Sequence, residues 1–278
     1  MWRRLFPGLA LLLGVIAALA LDAFWLEPAS LRVAWYPIAI DGANGTALSG
    51  LRIAVIADLH GGARYIDEDK IRRVVALTNA AHPGIILLAG DYVFTPVSSP
   101  RHMPIETIAR LLRPLSAPLG VYAVLGNHDH WDNAPRIAAA LEAAHIVVLD
   151  NAARVLVTPR GPLPLVGIGD EYSHDAHPEK ALAGVPARRR ALCFTHSPDV
   201  FAALSDTCLL TIAGHTHGGQ VWLPLLGRPV IPSRYGQRYA AGLVHEGRRY
   251  LFVSTGIGTS IAPVRFFVPP EISVLDVR

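Results

Sequence analysis

Cysteine is nearly absent: Cys193 and Cys208 are the two thiols among 278 residues. So few and so widely spaced, they do not support a disulfide framework or a thiolate zinc site. Both fall inside apolar strand-like runs, where the expectation is two buried thiols. Their number says little about compartment. Dense Lys/Arg runs are also missing, and the formal charge is only +3. That excludes an electrostatically driven nucleic-acid partner. The basic balance is almost entirely arginine, which suits contact with anionic lipid. There is no G-x-S-x-G elbow and no Walker A loop, so no motif offers a side-chain nucleophile or a phosphate cradle of those kinds. Internal repeats and low-complexity segments are absent as well.

What is abundant is apolar surface. Hydrophobic residues make up 51% of the chain, and the densest run is Leu5 to Leu26, preceded by Arg3 and Arg4. It has about the ~20 residues needed to cross a bilayer. One reading is an uncleaved anchor with the arginines in the cytoplasm and the rest exported. The other is a cleavable signal, because Ala18-Leu19-Ala20 has a small-x-small pattern. The Arg3-Arg4-Leu5-Phe6 start also looks like a loose twin-arginine export signal. The length of the run favours the anchor. A buried core helix is the bland alternative, and an all-round apolar helix ahead of a complete domain does not need it.

The remainder is long enough for one large domain. Residues 27–50 read as a linker with an edge strand at Leu31 to Ile40 and a turn at 41–45. Strands are expected at 51–60, 85–91 and 121–130, alternating with helices at Asp67 to Ala80, Ile105 to Leu112 and Pro135 to Ala144. That strand–helix alternation is the pattern of a parallel sheet covered by helices. The second half is strand-rich: Ile146 to Leu149, Val155 to Val157, Leu163 to Ile168, Ala191 to Thr195, Leu209 to Ala213, Gln220 to Leu223, Tyr250 to Val253 and Ile272 to Leu275. Short helices are expected near Glu179 to Ala183 and Pro198 to Leu204.

Five of these strands end in polar clusters: Asp58-Leu59-His60, Gly90-Asp91, Gly126-Asn127-His128-Asp129, Thr195-His196 and Gly214-His215-Thr216-His217. Taken singly, each is an ordinary turn or a satisfied polar residue. Taken together, each after a buried run, they put several acids and imidazoles at the carboxyl ends of strands, where α/β sheets bind ligands. So many polar groups are not desolvated together without a purpose, and divalent metals supply one. Imidazole, carboxylate and amide oxygen without thiolate suit Mn²⁺, Zn²⁺ or Fe. His215 and His217, one residue apart on extended backbone, are expected to face one cleft because strand side chains alternate.

In this order the clusters resemble the calcineurin-like metallophosphoesterases, whose pattern is D-x-H, G-D, G-N-H-[DE], H and G-H-x-H. The resemblance runs from about Leu51 to the C-terminus. Gly214-His215-Thr216-His217-Gly218-Gly219-Gln220, Arg234 to Gln237 and Ser254 to Gly258 are similar to its membrane-anchored bacterial branch of exported phosphodiesterases and UDP-diacylglucosamine hydrolases. The resemblance implies an α/β fold: a four-layer α/β/β/α sandwich of two mixed sheets flanked by helices, the metallo-dependent phosphatase fold, behind an N-terminal transmembrane helix. The implied organisation is 1–26 as anchor or signal segment, 27–50 as linker and edge strand, and 51–278 as catalytic domain. Two divalent ions (Mn, Zn or Fe) are implied, one held by Asp58, His60, Asp91 and His217, the other by Asp91, Asn127, His196 and His215. Asp91 bridges them, and a hydroxide between the ions attacks phosphorus in line. His128 then steadies the phosphoryl oxygens or protonates the leaving oxygen, and Asp129 orients it.

Three further groups carry weaker expectations. Asp170, His174, Asp175 and His177 read as a solvated loop rather than a third metal site. Arg234, Arg238 and Arg265 either hold substrate phosphate or are plain surface arginines. The apolar 221-VWLPLLG-227 either faces lipid or forms a core hairpin, with the hairpin favoured. The implied function is a two-metal phosphodiesterase acting on a lipid-linked or cell-wall phosphoester at the cell membrane, with the catalytic domain on the periplasmic or extracellular side. One alternative is a UDP-2,3-diacylglucosamine hydrolase of lipid A synthesis, whose substrate is made on the cytoplasmic side. Another is a noncatalytic scaffold on the same fold, against which the full ligand set argues.

Overall fold

The structure, a computed structural model, describes residues 5–40, 46–95, 103–186 and 189–278. The turn expected at 41–45 and the arginines Arg3 and Arg4 lie outside the described residues. Helix α1 (Leu5–Leu21) continues through a π turn at Asp22–Leu26 into the short α2 (Glu27–Ala29). Within Gly8–Ala29 the most apolar 18-residue window has a mean hydropathy of 2.3, and 6% of it is buried against the protein. A core helix would be covered, so the bland reading of this segment fails, and the helix is long and apolar enough to cross a membrane.

In chain order the strands are β1 (Arg32–Ile38), β2 (Arg52–Ile56), β3 (Ile85–Ala89), β4 (Val121–Val124), β5 (Val147–Val148), β6 (Ala152–Thr158), β7 (Gly161–Gly167), β8 (Ala191–Phe194), β9 (Cys208–Ala213), β10 (Gly242–Glu246), β11 (Arg249–Val253) and β12 (Glu271–Val277). They form two mixed six-stranded sheets, β1-β12-β2-β3-β4-β5 and β10-β11-β9-β8-β7-β6. The helices after α2 are α3 (Glu68–Ala80), α4 (Ile105–Leu112), α5 (Asn127–Asp132), α6 (Ala134–Ala143) and α7 (Pro178–Leu182).

Side-chain alternation explains the layering. In β3, Ile86 and Leu88 point to a core shared with Ile71 and Val74 of α3, Ile108 and Leu112 of α4, and Ile137 and Leu141 of α6. Ile85 and Leu87 point the other way, into a second core with Leu192, Phe194, Leu210, Ile212 and Phe252 of the other sheet. A third core, built on Val166, Cys193, Leu251 and Val253, is covered by Val200 and Phe201 of a 3₁₀ segment at Pro198–Ala203. Helix, sheet, sheet, helix is the expected stack. Local signals fix the helix starts. Asp67 caps α3 by accepting from the Lys70 amide, and Asn133 caps α6 by accepting from the Arg136 amide.

Within the first sheet β2, β3 and β4 are parallel, and β8 and β9 are parallel in the second. The five polar clusters follow these five strands. The structure departs from expectation in five places. The strand expected over 121–130 ends at Val124, and its polar end instead opens the short helix α5 (Asn127–Asp132). Gln220 to Leu223 is not a strand; only isolated bridges, Val221 to Phe266 and Leu223 to Gly227, form there. The place beside β11 goes instead to β10, whose half-exposed pattern gave no strong signal. The favoured core hairpin at 221–227 is overturned, since Leu225 is 104% and Leu226 76% exposed; both sheets close without it. Lastly, Cys193 and Cys208 are not separate thiols but a disulfide joining β8 and β9, 15 residues apart with Cα atoms 5.6 Å apart. Strand register sets Ala191 opposite Cys208 and so brings the pair together, a proximity that sequence distance conceals.

Candidate metal centre

Asp58, His60, Asp91, Asn127, His196, His215 and His217 all converge in one buried site just past the ends of β2, β3, β4, β8 and β9. The turns that deliver them are strained. Asp58, His60, Asp91, His215 and His217 have φ of 53°, 47°, 57°, 69° and 52°, a left-handed region that side-chain-bearing residues rarely enter and that costs of the order of 1–3 kcal/mol per residue. This also corrects the reason given above for His215 and His217. They are not strand neighbours sharing a pleat face. Both lie beyond Ala213, the last residue of β9, and the turn aims each ring into the cleft separately.

Distances divide the site into two halves. On one side, the His60 and His217 Nε2 atoms face each other at 3.2 Å, and His217 Nε2 is 3.6 Å from Asp58 Oδ1. On the other, His196 Nε2 lies 3.1 Å from both Asn127 Oδ1 and His215 Nδ1. A single oxygen joins them: Asp91 Oδ2 is 3.6 Å from His60 Nε2 and 3.4 Å from His196 Nε2. Backbone groups fix the ligand atoms. His60 Nδ1 meets the Val93 carbonyl at 3.3 Å and His196 Nδ1 the Ala89 carbonyl at 2.7 Å, which turns each Nε2 inward. Asp58 accepts from the His215 amide at 2.9 Å, and Asp91 Oδ1 from the His128 amide at 2.9 Å.

The charge pattern is that of a cation site. Burial lowers His60 to about 3 and His215 to about 4, and pushes His217 well below its ordinary value, so these rings are neutral with free lone pairs. Burial raises Asp58 to about 7, with the Asp91 charge adding to it. At Asp91 the facing His196, His60 and His128 override burial and hold the carboxyl well below the usual range. Burial opposes a charge on His196 too, but Asp91, with Asp170 and Asp58, overrides it and holds the ring well above its ordinary value. Two imidazole nitrogens, His215 Nε2 and His217 Nδ1, are buried with no hydrogen-bond partner. The lone pairs of neutral His60, His215 and His217, crowded beside buried carboxylates, are donors that a divalent cation would use. The donor set fits divalent metal, and Asp58-His60-His217 and Asp58-Asp91-His196 are each compact enough to hold an ion.

Two motif glycines are explained by space alone. A Cβ on Gly126 would lie 2.3 Å from Asp91 Oδ1, and one on Gly214 would lie 2.8 Å from Asp58 Oδ2. The backbone must pass that close for the carboxylates to reach the centre.

His128 and Asp129 separate here. His128 opens toward the site, within 4.8 Å of His60 and Asp91; burial lowers its pKa. Asp129 does not touch it. Its Oδ2 accepts from the Asp91 and Gly126 amides at 2.8 and 2.9 Å, and its Oδ1 from the Tyr92 and Val93 amides at 2.9 and 3.4 Å. Burial and Asp91 push its carboxyl up to about 7 against the pull of those amides. The expectation that Asp129 orients His128 is therefore corrected: its oxygens are consumed in holding the loop that carries Asp91. The groups that hold the His128 ring are Thr95 Oγ1 on Nδ1 at 2.5 Å and Ser260 Oγ on Nε2 at 3.4 Å. No motif marks either residue. Sequence reasoning also missed an aromatic wall: Trp131 packs on His128 at 4.7 Å and Tyr172 on His215 at 5.0 Å between ring centroids, both largely exposed.

The weaker candidates resolve differently. Arg265 is fully buried and donates to the carbonyls of Thr255, Gly256, Gly258 and Val268, so it braces a loop and does not face substrate. Arg234 pairs with Glu171 and Asp199, and Arg238 with Glu246. Of the acidic-histidine loop, His174 and His177 are exposed as expected, but Asp170 is buried and Asp175 meets His130 and Asp150 within 4.8 Å.

Comparison with known proteins places this geometry in context. Residues 51–219 match the family model described as calcineurin-like phosphoesterase. The chain is 34% identical over 230 residues to Phosphodiesterase YaeI of Escherichia coli K12, covering 81% of each. It is 29% identical over 232 residues to the uncharacterized metallophosphoesterase YkuE of Bacillus subtilis, covering 82% of this chain and 79% of that one. To the UDP-2,3-diacylglucosamine pyrophosphatase LpxG of Chlamydia muridarum it is 24% identical over 284 residues, covering 82% and 84%.

Proposed function

The chain belongs to the calcineurin-like phosphoesterases, and from that premise we propose that it is a two-metal phosphodiesterase of the cell envelope. Its substrate is a lipid-linked or cell-wall phosphoester, and residues 1–26 hold the catalytic domain, residues 51–278, at the outer face of the membrane. The observation that carries the reading is the single oxygen of Asp91 facing His60 on one side and His196 on the other. Asp58, His60, Asp91 and His217 would hold one ion, and Asp91, Asn127, His196 and His215 the other.

Two divalent cations supply Lewis-acid activation of a phosphoryl oxygen and of the attacking water. The protein's own part is placement. The strained turns preset the ligands, and the Val93 and Ala89 carbonyls fix two imidazole tautomers. His128 is held by Thr95 and Ser260 so that its ring meets the phosphoryl group, where it donates to an oxygen or gives a proton to the departing one. A noncatalytic scaffold has no need for this arrangement. Export is supported by the Cys193–Cys208 disulfide, a bond that persists in oxidising compartments.

The test is a substrate panel on Mn²⁺-loaded protein: aryl diesters, aryl monoesters and UDP-diacylglucosamine. Diester turnover well above monoester turnover is expected; protein that holds two metals and cleaves nothing would revive the scaffold reading. The likeness to LpxG favours a second reading, cleavage of UDP-2,3-diacylglucosamine. Paired C-terminal phosphatase and green-fluorescent reporter fusions separate the two, since that reading needs a cytoplasmic domain.

A further inference from the structure

The loop that closes the metal centre also grips the end of the apolar helix. Its Ser260 touches His128, and the Gly258 amide donates to the Asp58 carbonyl. A few residues on, the Arg265 amide donates to the Ala23 carbonyl, and the amides of Phe267 and Val268 donate to the Glu27 carboxylate. From the other side, Tyr65 donates to the Phe24 carbonyl and Arg64 stacks over Trp25. The helix end is thus fixed to the mouth of the site at several points.

Around that junction sit large apolar side chains that remain exposed. Ile261 is 93% exposed, and Phe267, Trp25 and Leu26 are largely exposed too. Beside Phe267 lies Trp222, ring centroids 6.1 Å apart, at the base of the 221–227 turn that carries Leu225 and Leu226. Gln220 clasps this turn to the same loop through the Ala262 and Val264 carbonyls. Leu225 is the most telling: a fully exposed leucine at φ 70°, where a glycine or asparagine would be the relaxed choice. In water it is strained at no gain. A single exposed leucine needs no explanation, but a contiguous set around a membrane-length helix end marks an interaction surface. A bilayer interface is also where tryptophan and tyrosine rings and arginine stems settle.

We propose that this rim, formed by Trp222, Leu225, Leu226, Ile261 and Phe267, inserts into the lipid surface around the helix end, so that the metal centre opens at headgroup level. The occupant is the bilayer itself, because the rim is continuous with the helix end that enters it. A cleft of about 340 Å³ lined by Gly62, Ala63, Arg64, Phe94, Ser260 and Ile261 lies beside the rim, and its Ser260 contacts His128 at 3.4 Å. Its apolar end, basic Arg64 and polar inner end match an amphiphile whose phosphoester lies in the headgroup layer of the same leaflet. This inference rests on the anchor reading above and narrows its substrate to lipid-linked phosphoesters.

The experiment uses the full chain in vesicles of phosphatidylethanolamine and phosphatidylglycerol, with one new cysteine carrying a polarity-sensitive fluorophore. The native cysteines are buried in a disulfide and do not compete. Leu226→Cys and Ile261→Cys probe the rim, Ala17→Cys probes the helix, and Val157→Cys, an exposed position on β6, is the control. Labels at 226 and 261 should blue-shift and lose roughly half their emission to nitroxide lipids whose label lies ~5–10 Å below the headgroups, while the label at 157 stays unchanged. If 226 and 261 respond no more than 157, the rim is not in the bilayer and the inference is overturned, including the case where a second copy or another protein covers it. The label at 17 reports separately on the anchor, so the two failures are distinguishable. The substituted residues are exposed, and unchanged thermal melts in detergent confirm the fold.

Discussion

Replacing Asp129 by Asn separates two views of the G-N-H-D motif. The side chain is buried and accepts four backbone amides, two on each oxygen. Asparagine is nearly the same shape, but its NH₂ cannot accept. Whichever way it turns, two buried amides lose their acceptor and meet a donor instead. Each orphaned amide costs about 1–3 kcal/mol, so the substitution should destabilise the protein by ~4 kcal/mol. For a chain of this size that lowers Tm by roughly 10 °C. The damage is local as well as global. The released pair is either the Asp91 and Gly126 amides or the Tyr92 and Val93 amides, so in either case the segment that carries the Asp91 carboxylate loosens and metal content should fall with it. Calorimetry and metal analysis on the same preparation read both effects. If Asp129→Asn melts with the wild type and keeps its metals while turnover collapses, the amide-clamp argument is wrong and Asp129 acts through His128 after all.

His128→Ala should show the converse: metal content and Tm near wild type, and aryl-diester turnover down by about 10²–10⁴, read by metal analysis beside steady-state kinetics. Loss of metal instead would make His128 a ligand. Asp150, raised to about 7 by burial and then by Asp175, favours its protonated form in the folded state. The native state therefore holds a proton that the unfolded chain releases, and the group's stabilising share falls as pH rises from about 4 to 7. Asp150→Asn should match wild type near pH 4 and exceed its unfolding free energy, read by chemical denaturation, above pH 7 by of the order of 2 kcal/mol; the opposite trend would refute the assignment. Cys193→Ser/Cys208→Ser removes a cross-link over 15 residues and should cost about 3 kcal/mol; an unchanged chemical-denaturation curve would mean the bridge contributes nothing.

Much of this protein was readable before any coordinates. The five clusters stand out because each follows a short continuous apolar run of strand length, the pattern of a strand buried on both faces. Ile71, Val74, Val75 and Thr78 announce the buried face of α3 by their spacing, and Asp67 announces its start. The all-round apolar helix at the N-terminus is set by composition alone.

What the chain order could not decide were relations between residues that only meet after folding. Cys193 and Cys208 pair because β8 and β9 are neighbours in a given register, and Asp129 turns away from its own neighbour because amides from another strand end need its oxygens. Thr95 and Ser260, on separate loops, have no pattern to betray them, yet they hold the ring between Asn127 and Asp129. The apolar turn at 221–227 is the clearest case. Its residues are equally fit for a core or for lipid, and the choice fell to whether two closed sheets had room for it. Hydrophobicity and spacing are local properties, whereas burial, pairing and the aim of a side chain depend on which distant segment fills the space beside it.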